Sequence, residues 1–140
     1  MTSLERSLVL IKPDGVERRL IGQIIARYEA KGLQLVAMEL RRADQQLSRQ
    51  HYAEHVDKPF YTSLEEFITS GPLVAMIWAG EGCIDAIRLM NGATDSASAA
   101  PGTIRGDFSM WKNRNLVHAS DSAASAAREI SIWFPNLRED

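Results

Sequence analysis

Apolar positions along the chain fall into short runs and helical stripes separated by turn residues. Leu8-Val9-Leu10-Ile11 is a continuous apolar run ended by Pro13-Asp14-Gly15, which predicts a buried strand closed by a turn. Ile21, Ile24, Ile25 and Tyr28 recur at helical spacing and Gly32 follows as a stop, so a helix is expected there. Leu33 to Leu40 is strand-like again. Ser48 to His55 is polar and predicts a surface helix. Ser63-Leu64-Glu65-Glu66 has the capping-box pattern, opening a helix with Leu64, Phe67 and Ile68 on one side and a stop near Gly71-Pro72. Leu73 to Trp78 is a further buried strand. Cys83, Ala86, Ile87 and Met90 fit a helix ending near Asn91-Gly92.

Asn91 to Asn115 shows little periodicity and is rich in Ala, Ser, Gly and Asn. Loops beyond about 12–15 residues are uncommon in compact domains unless they are functional or disordered. Pro101, Ile104, Phe108 and Trp111 are available as anchors, which favours an ordered functional loop. Leu116-Val117-His118 reads as a brief strand with a turn at Ser120-Asp121. A last helix places Ala123, Ala126, Ala127, Ile130 and Trp133 on its packed side and stops at Pro135. The order is strand-helix-strand, helices, strand-helix-strand, helix. That order fits α/β or α+β and does not choose between parallel and antiparallel pairing.

The length of 140 residues suits one domain. A chain of about this size buries roughly 68–70% of its unfolded surface, enough for an independent core. With 45% hydrophobic and 24% charged residues, the composition is that of a globular protein. Sixteen Lys+Arg stand against 18 Asp+Glu, which argues against a nucleic-acid binder or a membrane-surface protein. Cations for an anionic ligand must then be a few chosen side chains. Cys83 is alone, so neither an intrachain disulfide nor a cysteine zinc site is possible. The N-terminal run lacks a signal-peptide core and no apolar stretch reaches about 20 residues. The expectation is a cytoplasmic protein.

Among residues able to carry chemistry, His118 ends an apolar strand just before a turn and a helix. An imidazole is largely neutral and nucleophilic near pH 7, so it can attack phosphorus without a separate base. On position alone, a packed histidine satisfied by a neighbour is the commoner outcome. Glu129, on the following helix, can pack back to orient the ring, although such a residue is more often solvated. Lys12, Arg88 and Arg105 can neutralise a polyphosphate if they converge. No Walker loop and no G-x-G-x-x-G occurs. His51 and His55, with Glu54 between them, lie four apart as helical metal ligands do, but a solvated helix face is the plainer reading. Tyr52, Phe60 and Tyr61 can stack on a base or simply fill core.

Taken together, these residues resemble the nucleoside diphosphate kinase family from about Arg6 to Phe134. Ile11-Lys12-Pro13-Asp14-Gly15-Val16 is similar to its N-terminal motif, and Asn115-Leu116-Val117-His118-Ala119-Ser120-Asp121 to its active-site signature. Between them, His51-Tyr52, Lys58-Pro59-Phe60, Ser70-Gly71-Pro72 and Pro101 to Phe108 match in order and spacing. The resemblance implies an α+β, ferredoxin-like βαββαβ fold with an antiparallel four-stranded sheet, added helices and a long inserted loop. It implies His118 as the phosphorylated nucleophile of a ping-pong transfer between nucleoside triphosphates and diphosphates, with broad base tolerance. Tyr52, Ser120 and Glu129 would support His118. Lys12 and Asn115 would meet the sugar hydroxyls, with Lys12 also near the phosphates. Arg88, Thr94 and Arg105 would hold the phosphates, and Phe60 would stack on the base beside Leu64. Mg²⁺ would arrive mainly on the nucleotide phosphates, needing few protein ligands. A homo-oligomer is implied, a hexamer ahead of a tetramer. Ala119, Ser96 and Lys112 depart from the usual pattern at a Gly, a Pro and an apolar position. A nucleotide-binding or assembly protein without transfer activity is the alternative on the same fold.

Overall fold

The computed structural model describes residues 4–137. Its four strands are β1 (Glu5–Ile11), β2 (Gln34–Arg41), β3 (Leu73–Gly80) and β4 (Val117–Ala119). They form one sheet in the order β2-β3-β1-β4, with every neighbouring pair antiparallel. Helices α1 (Pro13–Glu17), α2 (Ile21–Lys31), α3 (Gln45–His51), α4 (Tyr61–Ile68), α5 (Cys83–Asn91), α6 (Ile104–Phe108) and α7 (Ala123–Trp133) complete it. The βαββαβ path with a central β1-β3 pair is the ferredoxin-like α+β fold.

The run at β1 is continuous because both sheet faces are covered. Val9 and Ile11 enter a core with Ile24, Tyr28, Trp78 and Ile87, whereas Leu8 and Leu10 enter a second core with Leu47, Ile68 and Trp133. Alternation of side chains along a strand assigns these two sets to opposite faces. In β4, His118 pairs with Leu10, so its ring shares the face of Trp133, while Val117 and Ala119 join the other core.

Several expectations need correcting. Pro13-Asp14-Gly15 opens the short helix α1, with Pro at its first turn, where a missing N–H does no harm. The capping box does not start α4: the helix begins two residues before Ser63, and Phe60 caps it without a side-chain bond. The expected surface helix begins at Gln45 after an Asp44 cap, whose Oδ1 accepts from Leu47 N at 2.8 Å, and it buries Leu47, Ser48 and His51. Trp111 is 55% exposed and does not anchor the long loop. Pro101 is exposed too, as are Ala123 and Ala127 on α7, where Glu129 is buried instead.

The long loop is ordered by other bonds. Thr103 caps α6, Asp107 takes Arg27 Nη2 at 2.7 Å and Gly102 N at 2.9 Å, and Ile104 is fully buried. Arg27 also lies over the Phe108 ring at 4.7 Å. No helix among the described residues is long and apolar enough to cross a membrane.

Candidate active site

The sheet edge at β4 sets the site. His118 is held in the strand by pairing with Leu10, and Ser120 closes the strand with a bond from its backbone N to Leu8 O at 3.0 Å. Helix α7 then folds back across β1. Its residues Ala126, Glu129 and Trp133 lie three and four positions apart on the buried stripe, so Glu129 is carried under the sheet edge. Glu129 Oε1 lies 3.1 Å from His118 Nε2 and accepts from Ser120 Oγ at 2.8 Å. A carboxylate accepts, so Nε2 of His118 carries the ring proton and the lone pair is on Nδ1.

Behind His118 sits His51, for which the sequence offers only a discounted metal-ligand reading and a place in the His51-Tyr52 match. It is 4% exposed and its ring meets His118 edge-to-face at 4.6 Å, Tyr52 at 4.7 Å and Trp133 at 5.5 Å. The expectation of a solvated His51 face is therefore wrong, because α7 packs over α3. Arg128 of α7 fastens the two by donating to Gln50 O and His51 O. The signal in the sequence was the His51-Tyr52 motif, yet only tertiary contact tells which histidine it serves.

Burial, followed by the charges of His118 and Lys12, holds the His51 imidazole well below the usual histidine range. Its unfolded counterpart takes a proton near pH 6.5. The contribution of neutral His51 is therefore complete above about pH 6.5 and is lost as pH falls towards its depressed native value. Stability of the wild type should drop in that window with a slope up to about 1.4 kcal/mol per pH unit from this group. Urea melts from pH 7.5 to 5 should show a shallower decline in His51→Gln.

The second wall is made by the start of α1 and the segment before β4. Lys12 Nζ donates to Asn115 Oδ1 at 2.8 Å, and Asn115 Nδ2 donates to Thr94 O at 2.9 Å. Leu116, fully buried, has φ of 72°, the left-handed region that costs a non-glycine residue about 1–2 kcal/mol. Its N donates to Asp14 Oδ2 at 3.1 Å and its O accepts from Lys12 N at 2.8 Å. Those two bonds clamp the strained residue and fix where Asn115 and His118 point. Gly15 is required beside it, since a Cβ there would stand 2.7 Å from Ile11 Cγ2. Asp14 is thus a structural part of the site that sequence reasoning passed over as a turn residue.

Lys12, Arg88, Thr94, Arg105, Asn115 and His118 all line one cavity of about 990 Å³, and Glu129 reaches it as well. Arg105 does so mostly as a strut. Its Nε, Nη1 and Nη2 donate to the carbonyls of Asn115, Gly92 and Val117 at 3.1, 2.8 and 2.6 Å. A guanidinium has five N–H groups, so two remain for a ligand. Burial, then the charge of Arg105, lowers the Lys12 ammonium to about 8. Tyr52, Ser120, Phe60 and Leu64 do not line the cavity. Tyr52 meets His51, whose ring meets His118, and Ser120 bonds to the Glu129 carboxylate that His118 also touches. Phe60 is 49% exposed, with its ring 5.6 Å from that of His55.

The fold and the cavity together define a ferredoxin-like α+β protein with a carboxylate-backed histidine facing a set of cations. The chain belongs to the nucleoside diphosphate kinase family: residues 5–138 match the family pattern described as Nucleoside diphosphate kinase. It is 62% identical over 137 residues to the nucleoside diphosphate kinase of Cutibacterium acnes, covering 98% of this chain and 99% of that one. It is 58% identical over 134 residues to that of Thermobifida fusca, covering 96% and 99%. Among solved structures it resembles a halophilic nucleoside diphosphate kinase of Halobacterium salinarum in complex with CDP. The TM-score is 0.94 and the identity 46%, with 99% of this chain and 94% of that one covered.

Proposed function

We infer that this chain, as a single kinase domain, moves the terminal phosphoryl group of a nucleoside triphosphate to a nucleoside diphosphate by way of His118. Its family membership makes it a nucleoside diphosphate kinase. The observation that carries the residue assignment is the His118 Nε2–Glu129 contact, which leaves Nδ1 as the one basic nitrogen of the ring. Nδ1 attacks the γ-phosphorus, a P–N bond forms, the β–γ bridging P–O bond breaks, and the diphosphate leaves. The phosphorylated ring is stabilised by Glu129. A second diphosphate then attacks the same phosphorus through a β-phosphate oxygen, the P–N bond breaks, and the lone pair returns to Nδ1. One site serves both halves because they are the same reaction in opposite directions.

Lys12, Arg88, Thr94 and Arg105 are the residues proposed to hold the phosphates, with Asn115 and Lys12 at the sugar. Phe60 and Leu64 are proposed for the base. Stacking recognises the π-face common to all bases, which would make base identity secondary. Asp85, Asp121 and Glu129 are the carboxylates that border the cavity, and Glu129 is taken up by His118 and Ser120, which leaves two for a divalent ion and no full cage. That fits Mg²⁺ carried on the nucleotide, where it would neutralise developing charge on the phosphate oxygens. A homo-oligomer, a hexamer ahead of a tetramer, is proposed as well. The edge strand β2 presents Met38 at 53% and Leu40 at 64% exposure, a surface suited to self-association. A free buried thiol at Cys83 suits the cytoplasm proposed for it.

Incubation with γ-labelled ATP should give a phosphoenzyme that is labile in acid and stable in base. If His118→Ala labels as well as wild type, the assignment is wrong. Turnover of GDP with ATP separates this function from nucleotide binding without transfer.

Lys12 gives a pH test. With its ammonium lowered to about 8, the free enzyme loses this positive charge as pH rises through that value. kcat/KM should therefore fall on the alkaline side with a midpoint near pH 8. In Lys12→Arg the fall should move beyond pH 10, whatever the overall rate.

A further inference from the structure

His51, His118 and Glu129 are two imidazoles and a carboxylate, the donor set that zinc-class ions favour. One ligating atom from each lies within 4.8 Å of the others, and His118 Nε2 and Glu129 Oε1 are already 3.1 Å apart. Donors about 2.0–2.1 Å from a tetrahedral zinc stand about 3.3 Å from one another, so this pair needs almost no movement.

The third donor is closed. A neutral imidazole has a single lone-pair nitrogen, and an indole N–H only donates. The 3.0 Å bond from Trp133 Nε1 to His51 Nδ1 therefore puts the lone pair of His51 on Nδ1 and its proton on Nε2. Neither nitrogen can take a metal unless the bond to Trp133 breaks. Both partners are buried, His51 at 4% and Trp133 at 0% exposure, so the break would strand the indole donor away from water.

We propose that the Trp133 indole keeps a latent transition-metal site closed, leaving His51, His118 and Glu129 with two available ligands instead of three. The value of this closure rests on the kinase function proposed above. An ion on Nε2 of His118 would send the ring proton to Nδ1, since a neutral imidazole keeps one proton. The lone pair that attacks phosphorus would then be gone, while the nucleotide contacts elsewhere in the cavity would survive. Trp133 is a positioning residue in this scheme: it acts on the nucleophile through His51.

Calorimetric titration of the nucleotide-free protein with Zn²⁺ tests this, comparing wild type, Trp133→Phe and the double variant Trp133→Phe/His51→Gln. Trp133→Phe should bind one ion at least ~10-fold more tightly than wild type, the scale on which a hydrogen-bond partner of a ligating imidazole alters metal affinity. The double variant should fall back to wild-type weakness. Equal affinity in wild type and Trp133→Phe, or tight binding that persists in the double variant, overturns the proposal. Nitrogen NMR of the wild-type histidines gives a second reading that needs no variant: His51 should be protonated on Nε2 and bare on Nδ1. The opposite tautomer would also overturn it. Neither readout involves turnover, so a failure here is distinct from a failure of the kinase assignment.

Discussion

His118→Ala will exchange phosphoryl groups between ATP and GDP at least ~10⁴-fold more slowly than wild type, the scale on which enzymes suffer when the attacking group itself is deleted. The loss should fall on kcat. The ring is only one part of the lining, whereas Lys12, Arg88, Thr94 and Asn115 remain in the same cavity. Affinity for ADP, measured by calorimetry, should therefore stay within a few-fold of wild type. Glu129→Gln should fall between the two in rate. It keeps the shape of the partner but can present its amide N–H to Nε2, which would reward the wrong tautomer. A His118→Ala protein that retained a tenth of the wild-type rate would remove the histidine from the reaction path.

The second large effect is on stability. Arg105→Ala should lower the unfolding free energy by about 3–5 kcal/mol, as removal of one partner from a buried charged network does. The side chain is 8% exposed and donates to three separate carbonyls, those of Gly92, Asn115 and Val117. Without it those oxygens are left in the interior, and charged hydrogen bonds are worth about 1.5–3 kcal/mol each before non-additivity is counted. Arg105→Lys should recover only a minor part, since a compact ammonium has no planar fork to span three acceptors. Urea unfolding measures both. A loss under about 1 kcal/mol in Arg105→Ala would show that the guanidinium is not what ties α5, the long loop and β4 together.

Much of this fold is legible from spacing because burial imposes period. The stripe of Ile24 and Tyr28, with the left-handed Gly32 after it, reads as α2 because a helix burying one face must repeat near 3.6 residues. The unbroken run in β1 and the one in β3 read as strands covered on both faces, which they are. The antiparallel order was not legible in that way. Strand runs give no pairing direction, and the family resemblance supplied it.

The site is legible in a different sense. Residue types and their spacing in the two end motifs bring forward Lys12, Asn115 and His118, which line one cavity, but do not tell what each one faces. Arg105 is read as a phosphate ligand, and its geometry adds the role of a strut across the loop. His51 passes as part of a polar helix because its partners, His118 and Trp133, are 67 and 82 residues away. Asp14 looks like a turn former since its bond to Leu116 N spans 102 residues. The strain at Leu116 has no signature in a leucine. Such features depend on long-range contact, and local periodicity carries no information about it.

The proposed transfer descends from a single imidazole whose Nε2 is tied to Glu129. Phosphorus and nitrogen NMR of the isolated phosphoenzyme, prepared from ATP and ring-labelled protein, reads the bonded nitrogen directly. Phosphorus coupled to Nδ1 of His118 is the predicted result. A P–N bond at Nε2, or a phosphoryl group on any other residue, would contradict the account.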